Sequence, residues 1–189
     1  MWFTDSYPEA EIDAKVMAAL KKTVEKIRFA GLDIDEEARP NIDLRENNQI
    51  WVEINNAMKS EALPLNERLV ERQKKQQDRW AAFFERYDVL LAPIGPTVAF
   101  PHDHTEPIGY RTLVINGVHK SMLTNFAWSL MAVVSGLPAT AAPVGLSDSG
   151  LPVGIQIIGA KFEDLTTIDF ARGLSELLGG FVAPPGYKD

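Results

Sequence analysis

The sequence predicts an α/β fold, a mixed β-sheet flanked by helices, and three observations carry that expectation. Helical periodicity runs through the first 87 residues, where apolar side chains recur three and four positions apart. From residue 88 the pattern changes to short apolar runs bounded by Gly, Pro and Ser, as buried strands require. One of these runs, Pro152–Ile158, carries so few polar residues that both faces must be covered, as in a sheet between helices.

The elements follow in order. Residues 8–30 read as a first helix, with Ile12, Val16, Ala19, Leu20, Val24 and Ile27 on its apolar face. Ser6 and Glu9 supply a capping box, Pro8 suits the first turn, and Gly31 suits the stop. Residues 32–43 read as a short strand and a turn at Pro40-Asn41. Asp43 caps a helix to about Met58 that buries Leu44, Ile50, Trp51 and Ile54. Pro64 opens a third helix to about Tyr87, with Leu65, Leu69, Trp80, Phe83, Phe84 and Tyr87 inward and Glu71–Lys75 as an i,i+4 pair.

Val89–Ala92 is then a buried strand ending at Pro93, and residues 93–110 are an irregular, Pro- and Gly-rich loop. Asn116-Gly117 marks a tight hairpin between Arg111–Ile115 and Val118–Lys120. Residues 121–135 are apolar on every side, which predicts a single buried helix. Gly136-Leu137-Pro138 ends it, strands Ala139–Val144 and Pro152–Ile158 follow, and an amphipathic helix Glu163–Leu178 stops at Gly179-Gly180. We expect residues 1–87 (helical, with one strand) and 88–189 (sheet and helix) to behave as one unit.

Composition narrows function. Four Trp, four Tyr and nine Phe among 189 residues supply a substantial core. The formal charge of −7 argues against a broad nucleic-acid or anionic-membrane surface. Arg72, Lys74, Lys75 and Arg79 invite a nucleic-acid reading, but Glu67, Glu71, Asp78 and Glu85 offset them, so a solvated helix face is expected. The lack of Cys excludes disulfides, thiolate nucleophiles and Cys-bound zinc, and fits a reducing compartment. No apolar run approaches the roughly 18 residues of a membrane span. Met1-Trp2-Phe3-Thr4-Asp5 lacks the basic and apolar regions of a signal peptide, so a cytoplasmic location is expected. Met1–Phe3 itself reads as the exposed end of a strand whose beginning lies upstream.

The last hundred residues carry a resemblance. Asp88-Val89-Leu90-Leu91-Ala92-Pro93 is followed by Pro96, then Thr124-Asn125-Phe126-Ala127-Trp128, then Ser135-Gly136-Leu137-Pro138-Ala139 and Pro143. Gly150-Leu151-Pro152-Val153-Gly154-Ile155-Gln156-Ile157-Ile158-Gly159 is the most specific piece, with Asp164 beyond it. In this order and spacing the chain resembles the C-terminal part of the amidase-signature fold. Residues 1–87 match less specifically, through Tyr7-Pro8 leading into the first helix.

The resemblance implies a parent enzyme that hydrolyses a carboxylic amide to acid and ammonia or amine, without metal or organic cofactor. Members use a serine activated by a second serine, with a lysine as ultimate base and backbone N–H groups as oxyanion hole. No Gly-Gly-Ser-Ser run occurs here, and Ser121, Ser129, Ser135, Ser147 and Ser149 are isolated, so the chain is expected to be inert alone. Gly145-Leu146-Ser147-Asp148-Ser149-Gly150 misses the G-x-S-x-G spacing by one residue and reads as a hairpin turn.

The resemblance does place the acyl pocket on residues 93–97 and 122–129. Ile94, Thr124, Asn125, Phe126 and Trp128 are therefore the substrate-binding candidates, Phe126 and Trp128 having core packing as the competing role. Thr124 and Asn125, a polar pair on an apolar segment, need partners. Glutamine-using members carry an acidic residue ten positions before the Gly of Gly-Leu-Pro, where this chain has Phe126. That difference implies a neutral, apolar or aryl acyl group.

His102, Asp103, His104 and Glu106 could ligate a divalent ion, but a Pro-bounded loop of exposed polar residues accounts for them and offers no further ligand. The expected partners are a small amide substrate and either a second copy or an N-terminal portion that completes the sheet at the Pro152–Ile158 strand. A stand-alone binding module derived from the same fold is the rival reading.

Overall fold

The computed structural model describes residues 1–60, 66–184 and 186–187. Among these described residues five strands and five α-helices make an α/β arrangement in which a three-stranded antiparallel sheet, ordered β1-β5-β4, lies between helices. β1 is Val89–Pro93, β4 Ala139–Leu146 and β5 Pro152–Gly159. β2 (Thr112–Ile115) and β3 (Val118–Ser121) form a separate hairpin. None of the described helices is long and apolar enough to cross a membrane.

β5 is the central strand, paired from Gly159↔Val89 to Ile155↔Pro93 on one side and from Ile158↔Ala139 to Pro152↔Leu146 on the other. This corrects the expectation that Pro152–Ile158 would be the open edge, because both its ladders are filled within the chain. Among the described residues β4 pairs with β5 alone, which leaves its outer edge without a strand. Alternation puts Gln156 and Gly159 on opposite faces of β5. Gln156 reaches the Trp128 carbonyl, while a side chain at Gly159 would meet Thr167 Cγ2 at 2.6 Å. Helical segments therefore cover β5 from both sides, as its apolar sequence demands.

α1 (Ala14–Phe29) starts six residues later than expected, and the Ser6/Glu9 box is not its cap. Pro8–Ala10 form a short 3-10 turn instead. Asp13 is the N-cap, its Oδ1 accepting the Lys15 N–H at 3.0 Å while Oδ2 accepts the N–H of Asn116 at 2.9 Å. Asn116 Oδ1 in turn accepts the Ala14 N–H at 2.9 Å, so the hairpin tip and the helix start cap each other. Asn116 (φ 51°) and Gly117 (φ 78°) take the left-handed conformations a two-residue hairpin turn requires. Lys120 binds Glu11 beside them, and that contact, with the Asn116 amide, holds the Glu11 carboxyl below its usual range.

Residues 32–43 contain no strand, contrary to expectation. Asp35 Oδ1 accepts the N–H groups of Glu37 and Ala38, folding the acidic stretch into a turn that competes with extended pairing. α2 (Leu44–Lys59) starts at its Asp43 cap as expected. α3 (Glu67–Phe84) begins at an Asn66 cap and ends short of Tyr87; Pro64 and Leu65 lie outside the described residues. Three of the four basic residues of the α3 cluster have their own partners, Arg72 with Glu53 at 2.6 Å, Lys75 with Glu71 at 2.9 Å and Lys74 with Asp78, while Arg79 shares Glu46 with Arg72 at 3.6 Å.

Residues 121–135 are not one helix. A 3-10 segment, Met122–Phe126, precedes α4, Leu130–Ser135. The break has a cause in the hydrogen bonding: the Trp128 carbonyl accepts Gln156 Nε2 and bonds the Met131 N–H three residues on. The segment is not buried all round either, since Leu123 is 52% and Val133 60% exposed. Asn47 on α2 and Gln73 on α3 donate to the Leu130 and Val134 carbonyls at 2.9 Å each, clamping α4 between those helices. α5 (Asp164–Leu178) closes at Gly179, φ 92°.

The core gathers Leu20, Ile27, Trp80, Leu90, Trp128, Met131, Ile155, Ile157 and Ile158. Met1–Phe3 belong to it. They are buried rather than exposed, and the Trp2 N–H donates to the Leu91 carbonyl at 2.9 Å along the outer edge of β1.

Candidate functional site

Where β1 runs out at Pro93, the chain turns through Ile94-Gly95-Pro96 and passes the 3-10 segment and the start of β5. A cleft of about 340 Å³ opens there, lined by Val16, Ile94, Gly95, Thr97–Ala99, Asn125, Phe126, Ser129 and Pro152–Gly154. Two glycines allow the approach. A side chain at Gly154 would meet Ile94 Cδ1 at 2.6 Å, and one at Gly95 would meet Asn125 Oδ1 at 3.2 Å. Gly154 therefore seats Ile94 against the sheet, which gives the resemblance-bearing Pro-Val-Gly-Ile run a packing reason.

Gln156 holds the two walls together. Its Nε2 donates to the carbonyls of Pro93 at 2.7 Å and Trp128 at 3.0 Å, one at the end of β1 and one from the helical wall. Sequence reasoning missed it, although a lone amide inside Val153–Ile158 was the available signal, because a buried polar group must find partners.

Of the five candidates, the structure brings Ile94, Asn125 and Phe126 to the cleft. Phe126 is half-buried and stacks on Trp51 of α2 at 6.3 Å with ring planes 21° apart, so an aromatic partner holds its orientation. Thr124 and Trp128 stand behind the wall. Thr124 Oγ1 donates to the Ser121 carbonyl at 2.7 Å. Trp128 is fully buried, its indole N–H on the Ala10 carbonyl at 2.9 Å and its ring edge-on to Trp2 at 6.0 Å. Ser129 lines the cleft without having been a candidate, its hydroxyl directed to the Phe126 carbonyl at 3.2 Å.

The electrostatics are simple: among the described residues, no charged side chain lines this cleft. Its polar groups are the Asn125 amide and the Thr97 and Ser129 hydroxyls. A larger groove of about 1040 Å³ lies elsewhere, along the outer edge of β1, between Leu32, Asp35, Leu91 and Phe170. None of the five candidates lines it.

The remaining sequence candidates have structural work. Ser147 and Ser149 share a 2.9 Å contact in the β4–β5 turn, where Ser147 Oγ accepts the Leu151 N–H. His102 and His104 sit edge-on at 5.9 Å, but Glu106 is paired with Arg111 and Asp103 accepts the Thr105 N–H. Among the described residues no three His, Asp or Glu side chains converge as a metal site would need.

A sheet between helices, with an uncharged cleft where β1 ends, defines an α/β protein. Residues 7–168 match the Amidase family, and the chain belongs to it. A glutamyl-tRNA(Gln) amidotransferase subunit from Zymomonas mobilis is 33% identical over 106 residues, 55% of this chain and 19% of that protein. The corresponding subunit from Gluconobacter oxydans is 37% identical over 103 residues, 53% and 18% respectively. The matches thus span about a fifth of the length of these relatives. A bacterial aryl acylamidase of the amidase-signature family superposes with a TM-score of 0.64 at 18% identity, over 88% of this chain and 41% of that one. A glutamyl-tRNA(Gln) amidotransferase subunit from Thermotoga maritima gives 0.60 at 21%, over 88% and 39%. At such identities the likeness is one of fold.

Proposed function

We propose that this chain is the substrate-pocket side of an amide hydrolase, with Ile94, Asn125 and Phe126 forming the wall that receives the acyl group. Thr124 and Trp128 fix that wall from behind. The observation that carries the reading is the uncharged lining of the cleft. An acyl group bearing an ammonium or carboxylate would lose its hydration there without gaining a counter-ion, at a cost of several kcal/mol. A neutral alkyl or aryl amide fits instead. This separates the chain from the glutamine-using members, despite its similarity to amidotransferase subunits.

In this reading the chain is inert alone. The serine, its serine partner and the lysine base would come from a segment outside these residues, placing the nucleophile against an acyl group held here. One face of β4 supports such a segment: Ala139, Ala141 and Pro143, which share that face with Ile158, Gln156 and Gly154 of β5, are exposed. Small side chains there leave room for a closely packed neighbour.

An NMR titration tests the pocket. Benzamide should shift the amide signals of Gly95, Asn125, Phe126 and Gly154, and glutamine should not. Equal shifts from both ligands, or shifts confined to other parts of the chain, would overturn the assignment.

A further inference from the structure

We propose that the cleft between the 38–41 loop and the C-terminal end of α3 binds a small organic phosphate. It is distinct from the amide cleft, encloses about 290 Å³, and draws its lining from Arg39, Pro40, Arg79, Ala82, Phe83 and Arg86 among others. Arg79 and Phe83 are four residues apart on one face of α3. Arg86 follows the helix end, its backbone N–H on the Phe83 carbonyl at 3.1 Å. Arg39 faces them from the loop.

Among the described residues Arg79 alone of the three has a carboxylate within 4 Å. Arg39 Nη1 donates to the carbonyls of Met1, Glu36 and Ala38 at 3.1, 2.7 and 2.8 Å, which fixes its position without cancelling its charge. Arg79 has Glu46 at 3.6 Å, but that carboxylate also lies 3.7 Å from Arg72 and accepts the Gln76 amide. Arg86 lies over the Tyr87 ring at 5.6 Å. The nearby Asp35 carboxylate is occupied by the Tyr87 hydroxyl at 2.8 Å and by two backbone N–H groups. Among the described residues no carboxylate is part of the lining, in a chain of net charge −7.

Three forked cations exceed what a single carboxylate can satisfy. A phosphomonoester carries about −1.5 to −2 at neutral pH and offers three acceptor oxygens, matching guanidinium geometry. Pro40, Ala82 and Phe83 supply an apolar floor for the ester's organic part.

Calorimetry at low salt tests this with phenyl phosphate as the probe, and with inorganic phosphate, benzoate and phenol beside it. Phenyl phosphate should bind saturably, more tightly than inorganic phosphate or benzoate, and phenol should give no signal. Arg86→Gln, at an exposed position, should weaken binding about tenfold, and adding Arg79→Gln about tenfold again. Added salt should weaken it further. Affinity unchanged in the double variant, benzoate binding as well as phenyl phosphate, or no saturable binding of phenyl phosphate would each overturn the proposal.

Discussion

Replacing Gln156 with Leu isolates the brace between the two walls of the cleft at the end of β1. The side chain is buried, and its Nε2 is the shared donor to the Pro93 and Trp128 carbonyls, at 2.7 and 3.0 Å. Leu leaves one hydrogen bond at Trp128, from Met131, and strands the Pro93 acceptor on this side. Each weakened or stranded acceptor costs about 2 kcal/mol, and the added apolar burial returns about 1 kcal/mol, leaving a loss of about 3 kcal/mol. For a chain of this length that lowers Tm by about 6–12 °C. Thermal unfolding followed by circular dichroism reads it directly. Gln156→Glu sharpens the test. A buried carboxylate facing two carbonyl oxygens has its pKa raised, so the variant should be least stable at neutral pH and recover as pH falls through that raised value. If Gln156→Leu melts within about 1 °C of the parent, the two contacts contribute nothing and the brace argument fails.

Further outcomes follow from the same geometry. Phe126→Ala should lose its stacking on Trp51, cost about 1–2 kcal/mol at this half-buried position, and abolish benzamide-induced shifts; retention of those shifts would remove Phe126 from the pocket. Glu11 has a carboxyl depressed by Lys120 and Asn116, so its contribution is present above the unfolded value of about 4.3 and is lost as pH falls through the lower folded value. Glu11→Gln should therefore flatten the acid limb of a Tm-versus-pH curve, and an unchanged limb would refute that clamp. Asp13→Ala should cost about 1–2 kcal/mol as a lost N-cap and raise hydrogen exchange at the hairpin tip as well as at the start of α1; an effect confined to α1 would deny the mutual capping. Finally, the β4 edge should promote association, seen as light scattering that grows with concentration, whereas a concentration-independent 21.0 kDa monomer would show the edge to be protected.

Local signals are legible in the sequence and distant ones are not. Asp43 and Asn116-Gly117 can be read directly because a cap and a two-residue turn depend on their own side chains and on nothing remote. The start of α1 escapes such a reading because Asp13 gains its advantage from Asn116, 103 residues away. The apolar run 121–135 has helical composition, yet its geometry is decided by Gln156 on a strand it does not adjoin in sequence. At the cleft, the family resemblance leads to Ile94, Asn125 and Phe126 but also to Thr124 and Trp128, which do not line it. The lone amide of Gln156 is a visible signal whose partners are not, and Ser129 requires the tertiary arrangement. Trp128 and Phe126 are two residues apart on the same apolar segment, and only packing decides that one meets Trp2 in the core and the other the cleft.

An ammonia-release assay with benzamide tests the division of labour most directly, run on this chain alone and again with a separately expressed amidase segment carrying the serine–serine–lysine set. The chain alone should give no release above background, and the mixture should give saturable release that Phe126→Asp diminishes. Saturable turnover by the chain alone, abolished by Ser129→Ala or Ser147→Ala, would contradict the claim that it supplies the pocket and not the nucleophile.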